Sequence, residues 1–155
     1  MTGPSARRLV VDTSAAVAVV FGEPGSEELA RHLEEAAERL MPSTIRVEVG
    51  IVIEAWLGPA GQDVVDRFLR DARIDVVVVD EDLADRAMSA WRRYGKARHP
   101  AGLNFGDCFT YALAERTGHA VLCTGEDFVA TDVGVVRPGA AGPGAPLLRH
   151  PDAVG

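Results

Sequence analysis

Cysteine, lysine and long apolar runs are all scarce in this chain of 155 residues. Its two cysteines, Cys108 and Cys123, lack the paired spacing that a structural zinc site needs, so we expect buried thiols in a reducing compartment. No apolar run approaches the roughly 18 residues of a membrane span. The apolar run after Arg8 also ends at Asp12, too early for the core of a signal peptide. These absences predict a cytoplasmic protein without a membrane segment.

Positive charge is scarce as well, since the formal net charge is -7 and the isoelectric point is near 5.0. This balance argues against binding nucleic acid through bulk charge. Of the 16 basic residues only Lys96 is a lysine, and it lies in residues 91–99, which are rich in arginine and contain Trp91 and Tyr94. This basic segment is the exception in an acidic chain.

The hydropathy pattern predicts one α/β domain, because 47% of the residues are hydrophobic and the length allows a single core. Strand-like and helix-like segments alternate, which favours a mostly parallel sheet covered by helices. The predicted strands are residues 8–12, 74–79, 120–124 and 133–136, and the predicted helices are 14–21, 25–40, 44–57, 62–72, 80–93 and 105–117. We expect strand 74–79 to be central and helix 44–57 to be buried on most sides. The domain should span residues 1–137, followed by a flexible tail, rich in glycine and proline, at 138–155.

Four acids interrupt apolar structure. Asp12 closes the first strand, Glu48 lies in an apolar helix, Asp107 opens another helix and Asp127 follows a later strand. Ligands of open α/β sheets bind beyond the carboxyl ends of the strands, where these acids can meet. Clustered carboxylates repel one another and need a cation, and oxygen ligands without His or Cys favour Mg²⁺ or Mn²⁺. Such a site suits the hydrolysis of a phosphodiester.

Each acid also has an ordinary structural explanation. Asp12 can cap the helix that follows it, and Asp107 and Asp127 each lie three residues after a capping residue, Asn104 and Thr124. Glu48, in the middle of its helix, can form an ion pair with an arginine. Each explanation covers one acid, whereas a shared cation covers all four.

Several segments, taken together, resemble the PIN-domain ribonucleases, and among them the VapC toxins of bacterial type II toxin–antitoxin systems. The resemblance extends from about Leu9 to Arg137. It is carried by Val-Val-Asp-Thr-Ser-Ala at 10–15, by the helix of Glu48 ending in Glu-Ala-Trp-Leu-Gly-Pro-Ala-Gly at 54–61, by residues 91–104, by Gly-Asp-Cys at 106–108 and by Gly-Glu-Asp-Phe at 125–128.

The resemblance implies a three-layer α/β/α sandwich with a central, mostly parallel sheet. It also implies endonucleolytic cleavage of RNA that depends on Mg²⁺, with Mn²⁺ as a possible substitute, and neutralisation by a VapB-type antitoxin. A homodimer formed through the apolar helices is expected. By the same resemblance the catalytic, metal-binding acids are Asp12, Glu48, Asp107 and Asp127, of which Asp12 and Asp107 are the foremost ligands. Thr13 and Thr124 would orient these carboxylates.

The basic segment then has a candidate role in binding RNA. Its phosphate-binding residues would be Arg92, Arg93, Lys96 and Arg98, with Trp91 or Tyr94 stacking on a base. The alternative is structural, because cations are favoured at the C-terminal end of a helix and Trp91 can be a core residue.

Two other functions compete with the nuclease. One is a phosphate-accepting receiver domain with Asp80 as acceptor. The receiver pattern has a lysine after a late strand, whereas the single lysine of this chain, Lys96, lies before the helix at 105–117. The other is a non-catalytic binding protein of the PIN fold, against which the presence of all four acids argues.

Overall fold

The computed structural model describes residues 6–139. The predicted tail at 138–155 lies outside the described residues except for its first two positions. The strands are β1 (Arg8–Val11), β2 (Glu38–Pro42), β3 (Asp75–Val77), β4 (Ala120–Leu122) and β5 (Val135–Val136). The helices are α1 (Thr13–Phe21), α2 (Ser26–Glu35), α3 (Ser43–Leu57), α4 (Gly61–Asp71), α5 (Glu81–Tyr94) and α6 (Phe105–Thr117), and a short 3₁₀ turn, Gly58–Ala60, joins α3 to α4.

All strand pairs in the described sheet are parallel, in the order β3-β2-β1-β4-β5. Alternate residues of β1 face opposite sides, so that Leu9 and Val11 pack against α1 to α4 while Val10 packs against α5 and α6. The result is the expected three-layer α/β/α sandwich with a parallel sheet. Within residues 6–139 no helix combines the length and the apolar character needed to cross a bilayer.

The prediction of a helix over residues 25–40 is wrong at its C-terminal end. Helix α2 ends at Glu35, and residues 38–42 form strand β2, which pairs with both β1 and β3. Leu40 and Met41 are buried on opposite faces of the sheet, as only an extended chain allows. The run of Glu, Ala, Arg and Leu favours a helix locally, and pairing inside the sheet overrides that preference.

Two expectations about burial are also wrong. Strand β3 lies at the edge of the described sheet rather than at its centre, and Val78, just after it, is 74% exposed. Helix α3 is buried along one stripe, Ile45, Val49 and Ile53, whereas Val47 and Ile51 are 57% and 60% exposed. An apolar run shows that a segment tends to be buried, but it does not show how many neighbours pack against it.

Candidate active site

The four predicted acids line one cavity of about 520 Å³. It lies at the carboxyl ends of β1 and β4, where the chain turns into α1 and into the loop before β5, and it is bounded by α3 and by the start of α6. The acidic side chains around it are Asp12, Glu23, Glu48, Asp107 and Asp127. Parallel strands put their carboxyl ends on the same edge, which is why residues so distant in sequence meet there.

Asp12 is the most enclosed of these acids, with 5% of its surface exposed. It is the N-cap of α1, and its Oδ2 accepts hydrogen bonds from the backbone N–H of Ser14 at 3.1 Å and from its hydroxyl at 2.7 Å. Its Oδ1 accepts a bond of 3.0 Å from the hydroxyl of Thr110. Burial nevertheless raises the pKa of Asp12, because these donors do not replace the lost water. The predicted capping role is present together with the place in the site.

Glu48 reaches the cavity from the middle of α3. One carboxylate oxygen accepts a hydrogen bond from the hydroxyl of Thr13, so the structure brings this predicted pair together. Burial raises the pKa of Glu48, and the neighbouring charge of Asp12 raises it further. The Glu48 carboxylate rests directly on the backbone of Gly106, where a Cβ atom would overlap it. No arginine forms a hydrogen bond or ion pair with Glu48 among residues 6–139, so the ion-pair explanation does not apply there.

Asp107 has both roles that the sequence suggested. It forms a capping box at the start of α6, accepting from the Asn104 N–H at 3.1 Å while Asn104 Oδ1 accepts from the Asp107 N–H at 2.9 Å. Its side chain also faces the cavity. Burial, followed by the charge of Asp12, raises the pKa of Asp107 to about 8, and Asp127 adds to the effect. A first-turn position therefore holds the carboxylate beside the other acids.

Asp127 lies in the irregular loop between β4 and β5, and the capping box predicted for Thr124 and Asp127 is wrong because no helix begins there. The loop is anchored by Phe128, which is 2% exposed, and by a 2.5 Å hydrogen bond from the hydroxyl of Tyr111 to Asp132. Thr124 also lines the cavity, and its backbone N–H donates a hydrogen bond of 3.1 Å to Ser14 Oγ. The loop is thus tied to the α1 side of the site and to α6.

Five residues of the site were not found by sequence reasoning: Ser14, Glu23, Thr44, Gly106 and Thr110. The first and last hold Asp12, and the glycine makes room for Glu48. Thr44 lies one turn before Glu48 on α3, and its buried hydroxyl has no hydrogen-bond partner within residues 6–139. The available signals were weak: a Ser two residues after a capping Asp, a Gly before Asp107, and hydroxyl residues one turn from an acid.

The donor set of the cavity fits Mg²⁺ or Mn²⁺, since carboxylates and hydroxyls predominate and no Lys or Arg lines it. Burial raises the pKa values of Asp12, Glu48 and Asp107, and the charge of Asp12 raises those of Glu48 and Asp107 further, which indicates a deficit of positive charge. The unpaired hydroxyl of Thr44 offers a further polar contact, for instance to a water of a hydrated ion. In the described part of the chain no three Asp, Glu, His or Cys side chains are yet arranged to hold an ion. Hydroxyl and amide donors hold Asp12, Glu48 and Asp107 instead.

The residues invoked for other functions lie elsewhere. Asp80, the acceptor of the receiver hypothesis, caps α5 through the Leu83 N–H at 2.8 Å and forms an ion pair with Arg116 at 3.1 Å. Trp91, for which a core position was the alternative, is 40% exposed. The predicted RNA-binding cations Arg92, Arg93, Lys96 and Arg98 are exposed at the end of α5 and in the loop after it, outside the cavity lining.

Comparison with known proteins gave consistent matches. The family model described as the PIN domain matches residues 9–134. Ribonuclease VapC30 of Mycobacterium tuberculosis is 45% identical over 128 residues, covering 83% of this chain and 98% of the relative. Ribonuclease VapC of Mycolicibacterium smegmatis is 46% identical over 129 residues, covering 83% of this chain and 100% of the relative.

Two solved structures show the same fold. One is Mycobacterium tuberculosis VapC20, described as a toxin that cleaves the sarcin–ricin loop, with a TM-score of 0.68, 19% identity, and coverage of 84% of this chain and 99% of that one. The other is VapBC2 from Rickettsia felis bound to a DNA fragment from its promoter, with a TM-score of 0.65, 11% identity, and coverage of 83% and 97%.

Proposed function

The chain belongs to the PIN-domain family and, within it, to the VapC ribonucleases, and we propose from this that it is the endoribonuclease toxin of a type II toxin–antitoxin system. One observation carries the proposal: five acids surround a single cavity that no lysine or arginine lines. Nucleases of this family depend on a metal ion, and we propose Mg²⁺, with Mn²⁺ as a substitute, because the donors are oxygen atoms.

We propose Asp12 and Asp107 as the foremost metal ligands, with Glu48 and Asp127 completing the catalytic acids. A bound divalent cation supplies a water of lowered pKa and stabilises negative charge on the leaving oxygen of the phosphodiester. Asp12 is held for this task by Ser14 and Thr110, whose hydroxyls fix both of its oxygens.

Glu48 is oriented in the same way by the hydroxyl of Thr13, and the bare backbone of Gly106 lets it approach the first turn of α6. Thr124 is proposed as a further orienting residue from its position on the cavity wall. These contacts hold Asp12 and Glu48 at the cavity wall before substrate arrives.

The proposed partners are RNA, a VapB-type antitoxin whose segment covers the acidic cavity, and a second copy of this chain. The cavity rim supports a covering protein, since Val47, Ile51 and Phe105 are 57%, 60% and 79% exposed. The apolar helices would form the homodimer. We propose the cytoplasm as the location, where RNA is present and the buried cysteines stay reduced. We also propose one domain at residues 1–137, and the position of β5, which ends at Val136, supports this C-terminal boundary.

The direct test compares wild type with Asp12→Asn and Asp107→Asn. Both variants should lose more than about 100-fold in Mg²⁺-dependent RNA cleavage, since even residues that orient metal ligands cost about 10–100-fold. Growth inhibition on expression should disappear, while circular dichroism remains that of the wild type. Asp63→Asn is the matched control, because Asp63 occupies the same third position of α4 but is exposed.

Cleavage retained in both variants, or cleavage unaffected by a chelator, would refute the metal site. If the wild type itself cleaves no RNA in any divalent metal, the non-catalytic PIN-fold protein is the better description. Co-expression of the antitoxin should restore growth in cells that express the wild-type protein.

A further inference from the structure

The basic segment at the end of α5 and in the loop after it contains cations that form ion pairs and cations that form none with residues 6–139. Arg93 interacts with Tyr111, Asp132 and Glu115, at 3.3, 3.4 and 3.7 Å. This residue was predicted to bind RNA, but its guanidinium is committed to holding α5, α6 and the loop before β5 together.

Three neighbouring cations are different. Arg92, Lys96 and Arg98 are exposed, and none has an ion pair with any residue in the range 6–139. Other arginines of α5 and α6, such as Arg86 and Arg116, do bind carboxylates at 2.9 to 3.1 Å. In a chain of net charge -7, three unpaired cations within seven residues form a local positive surface.

Contacts between side chains and one backbone hydrogen bond hold this surface in place. The guanidinium carbon of Arg98 lies 4.6 Å from the ring centre of Trp91, a cation–π contact. The Trp91 indole packs so closely on Gly95 that a Cβ atom at 95 would overlap it. The Lys96 N–H bonds to the Leu103 carbonyl at 2.9 Å, and His99 packs edge-on against Tyr94 with 5.0 Å between ring centres. An ordinary solvated charge run has no such order.

The surface is adjacent to the acidic cavity. Leu103, whose carbonyl accepts from the Lys96 N–H, directly precedes Asn104, the cap of α6, and Asn104 and Asp107 both line the cavity. The Lys96 N lies 2.9 Å from the Leu103 carbonyl oxygen and successive Cα atoms are about 3.8 Å apart, so the backbone N of Lys96 lies within roughly 10 Å of Asn104 on the cavity wall. A strand of RNA that enters the cavity can therefore extend over this positive surface.

We propose that Trp91, Arg92, Lys96 and Arg98, here called the basic platform, bind single-stranded RNA next to the cleavage site. The three cations contact backbone phosphates, and the stacked Trp91–Arg98 pair receives a base. Arginine and aromatic faces together are typical of single-strand recognition, whereas an acidic peptide needs only the charges. This inference rests on the proposed ribonuclease function, because the platform supplies the attraction for RNA that the acidic cavity lacks.

The test measures RNA binding without cleavage. Wild type and variants are titrated in EDTA with a fluorescein-labelled single-stranded RNA of 12 nucleotides and mixed sequence, by fluorescence anisotropy at several salt concentrations. Each lost phosphate contact lowers the slope of log K against log salt by about 0.7, so Lys96→Gln/Arg98→Gln should lower it by about 1.4. Trp91→Ala should weaken binding roughly tenfold through lost stacking, and Trp91→Phe should restore part of it. Arg31→Gln/Arg67→Gln removes the same charge elsewhere and should leave the slope nearly unchanged.

Cleavage assays in Mg²⁺ add a second readout, in which the double platform variant should raise KM without lowering kcat. The proposal is wrong if the platform variants bind the RNA as wild type does, or if they lose only the binding of a labelled polyglutamate peptide of equal length. In both cases the nuclease itself can still be active, so failure of the platform is distinguishable from failure of the proposed function, in which wild type neither binds nor cleaves RNA.

Discussion

Replacing Asp107 with asparagine should stabilise the metal-free protein at neutral pH. Burial and the charges of Asp12 and Asp127 raise the pKa of Asp107 to about 8 from an ordinary value of 3.8. Between these two values the folded protein retains a proton that the unfolded chain has released. The stability of the folded state therefore falls as the pH rises from about 4 to about 8. Asparagine has no charge to bury and removes this dependence.

The size of the effect follows from the same pKa difference. One pKa unit corresponds to about 1.4 kcal/mol, so Asp107 destabilises the folded state by about 4 kcal/mol at pH 7 and by under about 2 kcal/mol at pH 5. Asparagine keeps an oxygen that can accept from Asn104, and it gives up no charge at the helix N-terminus at pH 7 because the folded Asp107 carboxyl is already largely protonated there. The gain is about 4 kcal/mol at pH 7, which is roughly 10 °C in Tm for a domain of this size.

The assay is thermal unfolding of wild type and Asp107→Asn in EDTA at pH 5 and pH 7, followed by circular dichroism. The variant should melt higher at pH 7, and most of its advantage should disappear at pH 5. Excess Mg²⁺ should stabilise wild type more than the variant, because the ion binds the folded acids. Asp63→Asn should show no gain at either pH. A variant that melts lower than wild type at both pH values would show that capping, rather than repulsion, dominates at this position.

Three further predictions concern the residues that shape the site. Gly106→Ala should displace the Glu48 carboxylate and weaken Mn²⁺ binding about 10–100-fold by calorimetry. Gly50→Ala, with open space around its Cβ, should leave the free energy of unfolding unchanged or raise it by up to about 1 kcal/mol. Equal effects of the two substitutions on Mn²⁺ binding would refute the steric reasoning. Thr44→Val should raise the stability of the metal-free protein by about 1 kcal/mol in denaturant titrations, because it removes a buried hydroxyl without a partner, and a loss would show that the hydroxyl is bonded. Tyr111→Phe frees the loop before β5 and should raise the Mg²⁺ concentration needed for half-maximal cleavage several-fold, with faster hydrogen exchange at 124–134; unchanged metal dependence would contradict it.

Several features of the fold could be predicted from the sequence because they depend on local chemistry. The alternation of strands and helices gives a parallel sheet, and the caps at Asp12, Asp80 and Asn104 follow from short-range hydrogen bonds. Strand β2 could not be predicted, because its helix-favouring residues become a strand only between β1 and β3. The capping box suggested for Thr124 and Asp127 failed for the converse reason, since a capping pattern does not ensure that a helix follows it.

The sequence by itself determined which residues carry charge into apolar surroundings. Asp12, Glu48, Asp107 and Asp127 stand out because an isolated acid in an apolar segment costs free energy that something must compensate. Only the tertiary structure decided that the four share one cavity, that Gly106 admits Glu48, and that Arg93 forms ion pairs whereas Lys96 and Arg98 form none with residues 6–139. The physical reason is range: capping and hydropathy act within a few residues, whereas electrostatic coupling and steric fit depend on distances that the packing of the helices and the sheet sets.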